Sequence, residues 1–133
     1  MAVTKTEAHQ VSLLGVMLVS WTLNQGESGT PVVLPDFPYI SVVIRGVFGT
    51  SGVATLALQG ANVIGTPAAA QWQTLNDRQG NAQSGIVAAR FRRLQDTPYQ
   101  LRPTVTGGDP TTAIIVELCC YSPLGLAARN WVF

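Results

Sequence analysis

The stretch from Val53 to Leu118 is cut at short intervals by Gly, Asn, Asp and Pro, and the pieces between the cuts alternate with a period of two. A chain so punctuated has little room for a helical period. Val53, Thr55, Ala57 and Gln59 point one way and Ala54, Leu56 and Leu58 the other, which gives the mixed and apolar faces of a half-buried strand. GlnGlyAlaAsn (59–62) closes it. Thr112 to Tyr121 reads as a second, longer strand entered from GlyGlyAspPro (107–110), whose glycines accept positive φ and whose proline presets φ for a turn.

The same pattern extends outwards. Tyr39 to Phe48 is a strand with Ile40, Val42, Ile44 and Phe48 on one face, and GlyThrSerGly (49–52) predicts an antiparallel hairpin with Val53–Gln59. Gly85 to Leu94 is a strand with Arg90 and Arg92 on one parity and Phe91 and Arg93 on the other. Tyr99 to Thr106 is extended around Pro103, and ThrProValValLeuPro (30–35) is a short extended piece limited by its prolines. Val11 to Asn24 has a helix as its competing reading, but Gly15, the valines and the ending ThrLeuAsnGlnGly favour β. It is apolar on both parities, so as one strand it must be covered twice, as inside a sandwich whose outer side meets a neighbour.

About seven to eight short antiparallel strands without a helix pattern define an all-β chain, a β-sandwich or jelly roll. The expected organisation is a flexible polar arm over 1–10, a single sandwich domain over 11–121 and an apolar C-terminal tail over 122–133.

Composition narrows what such a domain does. Charged residues make up 11% of the chain and hydrophobic ones 47%, against a usual charged share of about a quarter, so much of the surface is expected to meet other protein. The net charge is +1 and the longest basic run is Arg92–Arg93; neither nucleic acid nor membrane is an expected partner. The apolar run Val11 to Leu23 is shorter than the roughly 20 residues of a membrane-spanning helix, and the polar start shows no secretory signal. Cys119 and Cys120 are adjacent in a strand, where neighbours point to opposite faces and a disulfide is strained. They read as two buried thiols of a protein made in a reducing cytoplasm.

No catalytic, metal or cofactor residue emerges, and the expectation is a protein that is not an enzyme and needs no cofactor. His9 is the only histidine and falls in the polar arm. Glu7, Glu27, Asp36, Asp77, Asp96, Asp109 and Glu117 are scattered, mostly over turns, where Asp commonly bonds its own backbone. The two cysteines lack the CxxC spacing of zinc and redox sites.

The order LeuGlnGlyAlaAsn (58–62), TrpGlnThrLeu (72–75), AsnAspArgGlnGlyAsn (76–81) and LeuArgProThrValThrGlyGly (101–108), followed by a hydrophobic strand, resembles small β-rich structural proteins of tailed bacteriophages. In particular it resembles capsid decoration, or cement, proteins. The resemblance implies a virion protein on the outer capsid surface, made in the host bacterial cytoplasm, with the major capsid protein and itself, as homotrimer or homodimer, as partners. A carbohydrate-binding β-sandwich of a phage tail or baseplate, stacking sugars on Trp72 and Tyr99, is the alternative.

Three features are candidate protein-interface elements. All of the eight basic residues but Lys5 are arginine, whose planar fork suits interfaces, and Arg90, Arg92 and Arg93 cluster on one strand. Trp72 sits in a loop, as core plug or as contact residue. Trp131, Val132 and Phe133 end an apolar tail that either folds back on its own sandwich or anchors to a neighbouring subunit.

Overall fold

The computed structural model describes residues 5–6, 9–13, 16–34 and 39–121. Eleven strands follow one another among them: β1 (Lys5–Thr6), β2 (His9–Leu13), β3 (Val16–Leu23), β4 (Ser28–Gly29), β5 (Val32–Val33), β6 (Tyr39–Val47), β7 (Thr55–Ala61), β8 (Gln73–Thr74), β9 (Arg90–Leu94), β10 (Gln100–Thr106) and β11 (Ala113–Tyr121). One 3-10 turn, Ala69–Gln71, is the only helical piece among the described residues. The chain is all-β, as the alternation indicates.

Two sheets form. The first runs β1-β4-β10-β7-β8, with β5 also on β10; the second runs β2-β3-β11-β6-β9. Every pairing among the described strands is antiparallel except the short β1–β4 contact. Burial alternates along β3, β6 and β11 with a period of two, and their inward residues meet those of β7 and β10 in one core. Trp21, Leu23, Ile44, Leu56, Leu58, Leu101 and Ile114 are all essentially inaccessible there.

Four sequence expectations change. The expected strand Val11–Asn24 is a hairpin of β2 and β3, with Leu13 opposite Val16, and an alternation counted straight through it does not describe one surface. In β3 the outward Leu18 is exposed while Met17, Val19, Trp21 and Leu23 are buried, so that strand is covered by core on one side only. Strand pairing reaches into the expected arm, at Lys5–Thr6 and from His9. The hairpin expected between Tyr39–Phe48 and Val53–Gln59 does not form: β6 belongs to the second sheet and β7 to the first. Residues 49–52 are a crossover between sheets, shortened by a hydrogen bond from the Ala54 amide to the Phe48 carbonyl at 2.7 Å. Finally, the strand expected from Gly85 begins at Arg90; ahead of it Ile86 alone bridges Leu56. Of the two cysteines, Cys120 is buried and Cys119 half-buried on the opposite face. Burial, aided by the neighbouring thiol, pushes the Cys120 pKa up to about 12.

Pro103 lies inside β10, opposite Leu58, in a sheet interior where a missing amide usually breaks the ladder. Its neighbours explain the tolerance. Val105 donates to the Glu27 carbonyl at 2.7 Å, so the odd-numbered amides of β10 face β4 and β5, and Pro103 falls opposite the gap between those two short strands. The same gap admits the Trp21 indole, whose Nε1 donates to the Thr30 carbonyl at 3.0 Å. Gly29 completes the fit: a β-carbon there would stand 2.7 Å from Trp21 Cδ1 and 2.8 Å from the Pro103 ring. Replacing Gly29 with Ala should therefore overpack the core and cost roughly 1–3 kcal/mol, read as a lowered denaturation midpoint with an unchanged denaturant slope. An unchanged midpoint would show that this contact is not tight.

Candidate functional site

The outer face of the second sheet carries several exposed apolar side chains among the described residues. Pairing registers place Leu18, Cys119, Ser41 and Arg93 in one row and Ser20, Glu117, Val43 and Phe91 in the next. Leu18 is 47% exposed, Phe91 55% and Val47 44%. Ile115, Val43 and Val16 add half-buried apolar surface between them. One ion pair crosses the face, Arg45 Nε to Glu117 Oε1 at 3.0 Å, both side chains about half exposed. At one corner Tyr39 and Tyr121 stack with ring centroids 5.1 Å apart, and the Arg78 guanidinium lies 5.2 Å from the Tyr39 ring.

The outer face of the first sheet is different in kind. Thr55, Ala57 and Gln59 of β7 pair with Thr106, Thr104 and Arg102 of β10, and Thr104 shares a 2.8 Å hydrogen bond with the Ser28 hydroxyl. This side is polar and rich in hydroxyls. Trp72 is half-buried beside it, with the Arg102 guanidinium 4.2 Å from its ring centroid and Arg102 Nε donating to Gln59 Oε1 at 3.0 Å. One indole face is thus taken by a cation.

The β9 arginines divide between two faces. Arg93 and Phe91 point out, while Arg90 and Arg92 share parity with buried Leu94. Arg92 Nε lies 3.6 Å from Asp77 Oδ2. Asp77 is 1% exposed; its Oδ1 accepts from the Gln79 and Asn81 amides, each at 2.9 Å, and its Oδ2 from Gln83 Nε2 at 3.2 Å. The Asn81 amide foremost, with Gln79 and the Arg92 charge, holds this carboxyl below its usual range against the opposing effect of burial. Arg92 is therefore joined to the fold of its own chain, and Arg93 is the outward cation of the strand. Trp131, Val132 and Phe133 lie outside the described residues.

Two further arrangements escaped sequence reasoning. Asp109, 7% exposed, gathers the 49–52 crossover: its Oδ2 accepts from the Thr50, Ser51 and Gly52 amides at 2.8, 2.7 and 3.0 Å and from the Ser51 hydroxyl at 3.0 Å. Its Oδ1 accepts from the Thr111 amide and hydroxyl. GlyGlyAspPro signals a turn, but nothing in the sequence says that this carboxylate serves a loop nearly sixty residues away. At the opposite end of the sandwich a groove of about 750 Å³ runs between residues 60–63, 71–75 and 95–98. Its clustered carboxamides come from three separate segments, which no local motif connects. Among the described residues there is no group of three or more His, Cys, Asp or Glu able to hold a metal, and no helix is long and apolar enough to cross a membrane.

No family model matches this sequence, and no curated protein matches it. Solved structures do. The SPBc2 prophage-derived protein YomS superposes with a TM-score of 0.53 at 14% identity, covering 84% of this chain and 99% of that one. A conserved protein with a double-stranded β-helix domain from Klebsiella pneumoniae is looser, with a TM-score of 0.43 at 12% identity over 90% of this chain and 75% of that one. Peruvianin-I, a cysteine peptidase from Thevetia peruviana latex, gives 0.41 at 13% identity over 82% of this chain and 52% of that one. At such identities the likeness to the prophage protein speaks to the fold.

The Asp109 clasp yields a pH dependence. The Thr111 hydroxyl first, then the Ser51 and Gly52 amides, hold its carboxyl far below the ordinary range, with burial opposing. A depressed folded value means that the stabilisation is complete above the unfolded carboxyl pKa, about 3.9. It is lost progressively as pH falls below that value. Melting temperature should accordingly be flat from neutral to mildly acid solution and decline below about pH 4. Asp109→Asn, whose amide must turn a donor towards donors, should lower the neutral melting temperature by several degrees and weaken the acid dependence. A variant that melts like the parent at both pH values would remove Asp109 from this role.

Proposed function

We propose that this chain is a non-enzymatic virion structural protein of a tailed bacteriophage that decorates the outside of the head and stabilises it by binding across capsid-subunit boundaries. The observation that carries the reading is the contrast between the two outer faces. One is hydroxyl-rich and suited to water; the other presents Leu18, Phe91, Val47, Val43 and Ile115, with Ser20 and Ser41 among them and the Arg45–Glu117 ion pair across it. The fold likeness to a prophage-derived protein supports the same reading, as does the low charge of 11%.

Size is consistent with docking. A sheet five strands wide with nine-residue central strands spans roughly 24 by 30 Å at ordinary strand spacing and rise, close to the ~800 Å² per partner of a stable interface. The partners are the major capsid protein and a second copy of this chain, in a homotrimer or homodimer. The apolar face and Arg93 meet the capsid. Trp131, Val132 and Phe133, in the segment that follows β11, anchor one subunit to the next. Stabilisation follows from mass action: subunits that separate must also give up the contacts to the bound protein.

Particles lacking the protein, mixed with the purified chain, test this directly. The parent should attach and raise the temperature at which particles break. Leu18→Glu combined with Phe91→Glu changes two outward positions, so the β signature by circular dichroism should persist while attachment weakens at least about tenfold, or 1.4 kcal/mol. A folded double variant that attaches as well as the parent would overturn the docking face.

A further inference from the structure

The groove at the 60–63, 71–75 and 95–98 end carries a site that the decoration reading does not use. Four of its lining side chains share one arrangement. Asn62 Oδ1 accepts from the Tyr99 amide at 2.9 Å, Gln71 Oε1 from the Ala68 amide at 2.7 Å and Asp96 Oδ2 from the Asn76 amide at 2.6 Å, while Gln73 Nε2 donates to the Ala70 carbonyl at 3.2 Å. Each group is thereby fixed to backbone by one polar atom. Its other atom, Asn62 Nδ2, Gln71 Nε2, Asp96 Oδ1 or Gln73 Oε1, has no hydrogen-bond partner among the described residues. Two donors and two acceptors are left, held in place before any ligand arrives.

The wall beside them is also held. Gln100, 5% exposed, donates from Nε2 to the Val63 and Gly65 carbonyls, each at 2.6 Å. Beneath the groove the buried Leu75 and Pro98 pack so tightly on Gly60 that a β-carbon there would stand 2.5 Å from the proline ring, which makes the base rigid. Among the described residues, Lys, Arg and His are absent from the lining, which removes the usual means of holding phosphate or carboxylate.

We infer that this groove binds a neutral saccharide. Hydroxyl groups both donate and accept, so a polyol matches a mixed set of fixed donors and acceptors, where an anion would need donors alone. A volume of about 750 Å³ lies within the usual range for ligand sites and holds more than one ring. Preorganised polar groups avoid the ordering cost that exposed glutamines ordinarily bring to binding. The inference is independent of capsid attachment and places a glycan contact at one end of the sandwich, away from the crossover end.

Side-chain amide resonances offer a direct reading. Maltohexaose, cellohexaose and chitohexaose would each be titrated to millimolar concentration into the 15N-labelled full chain, following the NH2 groups of Asn62 and Gln71. At least one of the three should shift both groups in a saturable way. Gln71→Glu and Asp96→Asn keep an oxygen for the anchoring backbone amide and reverse the hydrogen-bonding sense of the free atom, so each should weaken binding about tenfold with an unchanged melting temperature. Absence of shifts with all three sugars overturns the inference. Shifts confined to the outer face of the second sheet, or full affinity in both folded variants, do so equally.

Discussion

One carboxylate, that of Asp109, ties together the crossover end of the sandwich. Three of the chain's passages between the sheets, residues 24–27, 48–54 and 107–112, lie together at one end of the sandwich. Asp109 stands in the third and accepts three successive amides from the second, while the Gly26 amide of the first donates to the Gly107 carbonyl at 3.2 Å. Successive amides converging on one oxygen form an anion nest, here filled by the protein's own side chain. The backbone around it has no spare room. Gly49, at φ +120°, would put a β-carbon 2.0 Å from the Gly52 carbonyl oxygen, and Gly108, at φ +103°, one 2.5 Å from Thr112 Oγ1.

Closing that end allows the long-range pairing on which the second sheet rests. β11 lies between β3 and β6, with Tyr121 opposite both Val16 and Tyr39. The last described strand therefore completes a sheet begun near the start of the chain. Such pairing carries a large loop-closure cost before contacts reward it, and folds of this kind form slowly. The asymmetry of the two outer faces has the same origin. β3, β6 and β11 are long strands whose outward positions mix Leu, Val, Ile, Cys and Tyr with Ser20, Thr22, Ser41, Arg45 and Glu117, while β7 and β10 present mainly Thr, Gln and Arg.

The sequence made the strands legible and their partners illegible. Alternation located β6, β7, β10 and β11 to within a few residues, because each buries one side against the core and that period survives in the side chains themselves. GlyThrSerGly read as a hairpin because a short glycine-rich connection reverses direction in either case. Whether the next strand pairs with the last or lies across the core from it rests on contacts made far along the chain, the pairing of β6 with β11 and of β7 with β10 and the bonds of Asp109 to residues 50–52. The β2–β3 hairpin was missed because apolar residues continue through its corner, so nothing in hydropathy marks the reversal. Arg90, Arg92 and Arg93 read as one cluster because composition records type alone; facing was given by parity, but the buried Asp77 that engages Arg92 was visible only once 77 and 94 were brought into a bridge. The groove was legible in none of its parts, since its carboxamides come from three segments that are unremarkable singly.

The two ends of the sandwich show how a structural polar group differs from one available to a ligand. Asp109 uses both oxygens, six bonds in all among the amides and hydroxyls of Thr50, Ser51, Gly52 and Thr111. A carboxylate saturated in that way has no valence left for a partner, and its free energy goes into geometry. At the other end Asn62, Gln71, Gln73 and Asp96 each bond backbone with one atom and leave the second unused among the described residues. Water satisfies such exposed atoms at little cost, so stability alone does not require four half-used groups lining one groove. Their fixed orientation matters when something must be recognised by direction as well as by polarity, because a group already immobilised loses little further entropy on binding.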